Sequence, residues 1–124
     1  MGGGETVLLV EDEPEVRELI REILQLHGYV VLEASDGAQA LAVSGRHPGA
    51  IHLVLADVVS RGAGGAETLR RLTAARPEAR ALYMSGYLPD VVAERGTRHH
   101  GRFLQKPFTV DALVQKVREV LEEP

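Results

Sequence analysis

Five short apolar runs alternate with amphipathic stretches along the whole chain, and few folds accommodate that alternation. The runs are Thr6 to Val10, Tyr29 to Leu32, Ile51 to Ala56, Ala81 to Met84, and Phe103 with Leu104. Each is short and rich in aliphatic residues, and Thr6 to Val10 reads as a strand covered on both faces. Between them lie helical signals. Pro14 fits a first helical turn, Val16, Leu19, Ile20, Ile23 and Leu24 recur at helical spacing, and Gly28 supplies a stop. Ser35 or Asp36 can cap a second helix carrying Ala38, Leu41 and Ala42 on one face, ended by His47, Pro48 and Gly49. Thr68 to Ala75 reads as a third helix that stops before Pro77, and Pro89 to Glu94 as a short fourth. A last helix starts near Thr109, has Asp111 in its first turn, and aligns Val110, Leu113, Val114, Val117 and Leu121.

Strands alternating with helices imply an α/β fold: a doubly wound parallel sheet with helices on both faces and right-handed crossovers. With 124 residues there is room for one such domain and not for two. Aromatics are only 4%, so the core is expected to be aliphatic. Eighteen acids against 14 Lys and Arg give a net charge of −4 with no basic block, which argues against direct nucleic-acid binding. No cysteine is present, which excludes disulfides and thiolate metal sites and suits a reducing cytoplasm. No apolar run approaches the roughly 20 residues of a membrane helix, so no membrane contact is expected. Met1 to Gly4 reads as a flexible or cloning-derived start.

Doubly wound sheets bind ligands outside the carboxyl ends of their strands. Those positions carry Glu11 and Asp12 after the first strand, Asp57 after the third, Ser85 after the fourth and Lys106 after the fifth. Three carboxylates held together repel one another and either raise a pKa or attract a cation. Oxygen ligands without His or Cys favour a hard ion, and Mg²⁺ suits a site that leaves room for water and phosphate. These parts match phosphoryl transfer, in which positioning and charge neutralisation do most of the work. Asp57 stands alone at the end of a mid-sequence strand and is the expected nucleophile; Ser85 and Lys106 can each meet a phosphoryl oxygen.

In their order and spacing, the stretches ETVLLVEDEP, GYVVLEASDGAQAL, IHLVLADVV, ALYMSGY and FLQKPF resemble the receiver domains of two-component response regulators. The wording is most similar to receivers of hybrid sensor histidine kinases, and the likeness runs from Glu5 to about Leu121, the expected domain. The resemblance implies a flavodoxin-like (βα)5 sheet of strand order 2-1-3-4-5. It also implies Asp57 as phosphoacceptor and Mg²⁺ ligand, Asp12 as a direct ligand, the backbone carbonyl of Val59 as another, and Glu11 as the second member of the acidic pair. Glu11 is one methylene longer than the usual Asp and is expected to reach the ion through water. Ser85 would be the switch hydroxyl, Phe103 the switch aromatic, and Lys106 the lysine whose bond to Pro107 is cis. The family's usual Met-Pro is replaced at Ser60 and Arg61, so that loop is expected to be more mobile or differently placed. Val59 and Tyr87 sit where the family tunes phosphate lifetime, and an apolar Val59 implies slow self-dephosphorylation.

The leading reading is a signalling acceptor, not an enzyme in its own right. A histidine kinase or histidine phosphotransfer domain donates to Asp57, and the added charge biases the surface of the fourth helix, fifth strand and last helix. The last helices also offer a homodimer surface. Two alternatives stay open: a Mg²⁺-dependent phosphatase or phosphotransferase with an Asp nucleophile, against which Val59 stands where a second acid is normally needed, and a docking module that is never phosphorylated. His99 and His100 read as a solvated loop, and His27, His47 and His52 have no partner at ligand spacing.

Overall fold

Apolar strands that are buried on both faces must find partners for every main-chain donor and acceptor, and here they find them in one another. The computed structural model describes residues 3–57, 65–85, 103–105 and 107–123, with the backbone alone at 65–68 and 85. Strands β1 (Thr6–Val10), β2 (Val30–Ala34), β3 (Leu53–Asp57), β4 (Arg80–Ser85) and β5 (Phe103–Gln105) form one parallel sheet in the order β2-β1-β3-β4-β5. Both the alternation and the implied strand order are met. Helices α1 (Pro14–Leu26), α2 (Gly37–Arg46), α3 (Gly65–Ala75) and a C-terminal helix (Val110–Leu121) cover the sheet. The helix expected at Pro89 to Glu94 lies outside the described residues. Among the described residues, no helix is long and apolar enough to cross a membrane.

Side chains alternate across the sheet with period two, and each face builds its own core. Val7, Leu9, Leu53, Leu55, Leu82 and Met84 point to the side of α1 and the C-terminal helix, where Ile20, Leu24, Leu113 and Val117 meet them. Leu8, Val10, Val54, Ala56 and Tyr83 point the other way, toward Ala40 of α2 and Leu69 and Leu72 of α3.

Local chemistry sets the helix ends. The α1 C-terminus closes with Gly28 at φ +91°, its N–H bonding the Gln25 carbonyl and the Tyr29 N–H bonding the Leu24 carbonyl, both at 3.1 Å. That double bond is the Schellman arrangement, and it needs a residue without a Cβ penalty in the left-handed region. It also explains why β2 starts at Val30 and not at Tyr29: the Tyr29 N–H belongs to the helix end. Asp36 caps α2 by accepting from the Gln39 N–H at 2.8 Å, and Thr109 caps the C-terminal helix by accepting from the Ala112 N–H at 3.0 Å.

Periodicity located the helices better than it oriented them. Leu19 is 58% exposed and Val110 49%, and both line an apolar groove of about 540 Å³ beside Val16, Ile20 and Phe108. In the C-terminal helix Val120 takes the buried place expected for Val110. In α2 the buried face is Gly37, Ala40 and Ser44, while Ala38 and Ala42 face solvent. A small residue such as Ala scarcely distinguishes one helix face from the next, so the expected stripe was rotated away from the sheet. Helix α3 begins at Gly65, earlier than the Thr68 expected from its apolar spacing.

At the amino edge of the sheet, Arg118 of the C-terminal helix donates to Glu5 at 2.9 Å and lies 6.0 Å from the centre of the Tyr29 ring. The Arg118 bond, with the Gly3 N–H on the other oxygen, holds the Glu5 carboxyl at about 2, well below the ordinary Glu value near 4.3. A depressed carboxylate stabilises the fold fully above its unfolded pKa and loses that contribution as pH falls through its folded one. Glu5→Gln is therefore expected to cost about 1 kcal/mol in urea unfolding at pH 7, with the deficit shrinking between about pH 4.3 and pH 2. A deficit that does not change with pH would contradict this assignment.

Candidate functional site

Register places the acids. The last β1–β3 pair is Val10 with Ala56, so the residues that come next, Glu11 just past β1 and Asp57 at the end of β3, stand near one another at the carboxyl edge. Asp12 follows one residue later. One carboxylate oxygen from each of Glu11, Asp12 and Asp57 lies within 4.8 Å of the others. The sequence expectation that these three meet at one edge is met in that geometric sense. Asp57 is the last residue of β3, paired with Met84, and so ends the strand where it was expected to follow it. Its backbone is therefore fixed by the sheet and not left to a loop.

Glu11 is the unusual member, with 0% exposure in a position beyond the end of its strand. Its N–H bonds the Ala34 carbonyl at 3.0 Å, its Oε2 accepts from the Glu13 N–H at 3.1 Å, and its carbonyl accepts from Arg17 Nη1 at 2.8 Å. Asp12 and Asp57 are half-buried. Before any counter-charge is counted, two carboxylates at 4.8 Å repel by roughly 3.5 kcal/mol at an effective dielectric near 20. Three such pairs favour a cation strongly. The donors are all carboxylate oxygens, one of them wholly withdrawn from water, and that set fits a hard divalent ion such as Mg²⁺.

Ser85 ends β4 and pairs with Gln105 of β5, one step past the Asp57–Met84 pair, so its backbone stands at the same edge, on the strand next to Asp57. It too was expected just after its strand, which runs one residue further than the apolar run showed. Phe103 pairs with Tyr83 in β5 and packs half-buried against the core on the α2 and α3 side. Lys106, Val59, Ser60, Arg61 and Tyr87 lie outside the described residues. Arg17 escaped the sequence reading altogether, because nothing in its spacing showed that its guanidinium would turn back to the Glu11 carbonyl.

A model of the response regulator receiver domain matches residues 7–118. The sensor kinase CckA of Brucella abortus is 38% identical over 99% of this chain, which spans 13% of that kinase. The sporulation initiation phosphotransferase F of Bacillus subtilis is 30% identical over 94% of both chains. The solved receiver domain from the hybrid histidine kinase CckA superposes with a TM-score of 0.78 at 31% identity, covering 94% of this chain and 99% of its own. A chemotaxis protein of Vibrio cholerae, 22% identical with a TM-score of 0.82 over 95% of this chain, has the same fold.

Mg²⁺ at ten times its dissociation constant is expected to add about 1.4 kcal/mol, raising the thermal midpoint by about 3 to 6 °C. Asp12→Asn should abolish most of that rise in differential scanning fluorimetry. An unchanged Mg²⁺ response in Asp12→Asn would remove this residue from the ion site.

Proposed function

We propose, from the premise that the chain belongs to the response regulator receiver domain family, that Asp57 is the residue through which it takes part in two-component signalling. A receiver domain in such a system accepts a phosphoryl group, and the single observation that supports Asp57 as the acceptor is the convergence of its carboxylate with those of Glu11 and Asp12. Asp57 is the acid that stands within a strand, the last residue of β3, in register with Met84 of β4.

In the proposed transfer, an Asp57 carboxylate oxygen attacks the phosphorus of a phosphohistidine in line with the leaving imidazole. The O–P bond forms as the P–N bond breaks, and the imidazole takes up a proton from solvent. Bound Mg²⁺ supplies positive charge to the carboxylates and to the phosphoryl oxygens. Asp12 and Asp57 would hold it directly, Glu11 from its buried position, and the Val59 carbonyl as a further ligand. The Glu13 N–H bond keeps the Glu11 carboxylate oriented toward the edge. Ser85 and Lys106 are assigned to the remaining phosphoryl oxygens; the Ser85 backbone position beside Asp57 supports its part. Phe103 is assigned as the aromatic that responds on β5.

The donor in this reading is a histidine kinase or a histidine phosphotransfer domain, and the parent protein a hybrid sensor kinase working in the cytoplasm. Likeness to the CckA kinase over 99% of this chain supports that parentage. Because the chain spans only 13% of that relative, the activity and partners of any longer protein belong to this proposal.

Incubation with acetyl phosphate and Mg²⁺ should add one phosphoryl group to the intact chain, read by mass spectrometry. Asp57→Asn should show none, and Asp12→Asn and Lys106→Met should slow the gain by about 100-fold. Phosphate uptake by Asp57→Asn at the rate of the unaltered protein would refute the assignment.

A further inference from the structure

We infer that Arg17 is a positioning residue for the acidic site, fastening the backbone that carries Asp12. The inference rests on the reading of Glu11, Asp12 and Asp57 as the ion and phosphoryl site. The ladder between β1 and β2 ends at the pair Val10 and Ala34. One further main-chain bond, from the Glu11 N–H to the Ala34 carbonyl at 3.0 Å, completes it. To the Glu11 carbonyl beyond it, Arg17 Nη1 donates from the first turns of α1 at 2.8 Å. The Glu11 N–H bond fixes the peptide plane that enters Glu11, and the Arg17 bond to the Glu11 carbonyl fixes the next plane, the one that leads into Asp12. The direction in which the Asp12 carboxylate leaves the chain follows from that plane.

The guanidinium is itself held from outside. Glu33 on β2 faces α1 and lies 3.6 Å from Arg17 Nε through one oxygen and 3.4 Å from Arg21 Nε through the other. A planar guanidinium can face a carboxylate with one edge and a carbonyl with another, a geometry that an ammonium does not reproduce. Glu33 also balances the Arg17 charge, so the site keeps its negative character for a divalent ion. A purely structural role, an ion pair joining α1 to β2, would act on stability alone and would be worth little at this exposure. The short bond to the Glu11 carbonyl is what extends the role to the site.

Mg²⁺ titration of the intact chain by calorimetry separates the two roles, with urea unfolding in EDTA as the check on folding. Arg17→Met is expected to weaken Mg²⁺ binding about tenfold, as loss of an outer-shell partner of a metal site does. Arg17→Lys should fall between that variant and the unaltered protein, because one ammonium cannot serve both the carbonyl and Glu33. Glu33→Gln should weaken binding by about threefold, and Lys116→Met, which removes a cation elsewhere, by less than about twofold. If Arg17→Met does not fold, Arg17→Lys and Glu33→Gln decide the matter. Mg²⁺ affinities within about twofold of the unaltered protein in the folded Arg17 and Glu33 variants overturn the inference and leave the site reading intact. No Mg²⁺ binding by the unaltered protein overturns both.

Discussion

The parallel register that sets Val10 against Ala56 brings two acids from distant parts of the chain to one edge of the sheet. Neither Glu11 nor Asp57 reaches that edge by a loop conformation of its own; main-chain ladders bring both there. Ladders of this kind are stable only when both faces are covered, which the aliphatic layers under α1 and the C-terminal helix, and under α2 and α3, provide. The energy that assembles mutually repelling carboxylates is thus apolar burial spread over the whole sheet, and the repulsion that remains is what a divalent ion, in the proposed reading, would offset.

Fastening and chemistry occupy opposite edges. At the amino edge, Arg118 ties the C-terminal helix to Glu5, and Arg76 donates to the carbonyls of Ser44, His47 and Gly49, each at 2.6 Å, closing the α2 C-terminus against the residue after α3. His52 adds a bond there, its Nδ1 accepting from the Thr6 N–H at 2.9 Å. These contacts fix the strand starts and leave the strand ends to carry residues chosen for reactivity. Arg17 stands apart as an arginine that makes such a contact at the carboxyl edge, which is why its bond to the Glu11 carbonyl has a functional reading that the Arg76 bonds do not.

Much of this was legible in the residues. Short aliphatic runs announced the strands, and the acids placed after them marked the edge where a ligand would bind. Register was not legible: that Asp57 and Ser85 end their strands and do not follow them depends on pairing with Met84 and Gln105 across the sheet. Helix rotation was only half legible, since Leu19 and Val110 fit the apolar period yet flank a groove, and Ala38 and Ala42 carry too little surface to fix a face. The Tyr29 N–H was claimed by the α1 terminus through a bond that spacing alone does not reveal. The Arg17 contact depends on a side chain folding back across a helical turn, and no one-dimensional pattern encodes that. Resemblance supplied the expected switch role of Phe103 and the expected ligand role of the Val59 carbonyl, which pattern alone would have left as a core aromatic and a loop apolar residue.

The most direct test of the central claim locates the acquired group on the chain. After reaction with a phosphoryl donor in Mg²⁺, reduction with borohydride converts a phosphorylated aspartate to homoserine, and peptide mapping reads its position. Homoserine is expected at Asp57 and nowhere else. Homoserine at Asp12 or another acid, or phosphate retained on a hydroxyl or imidazole, would contradict it.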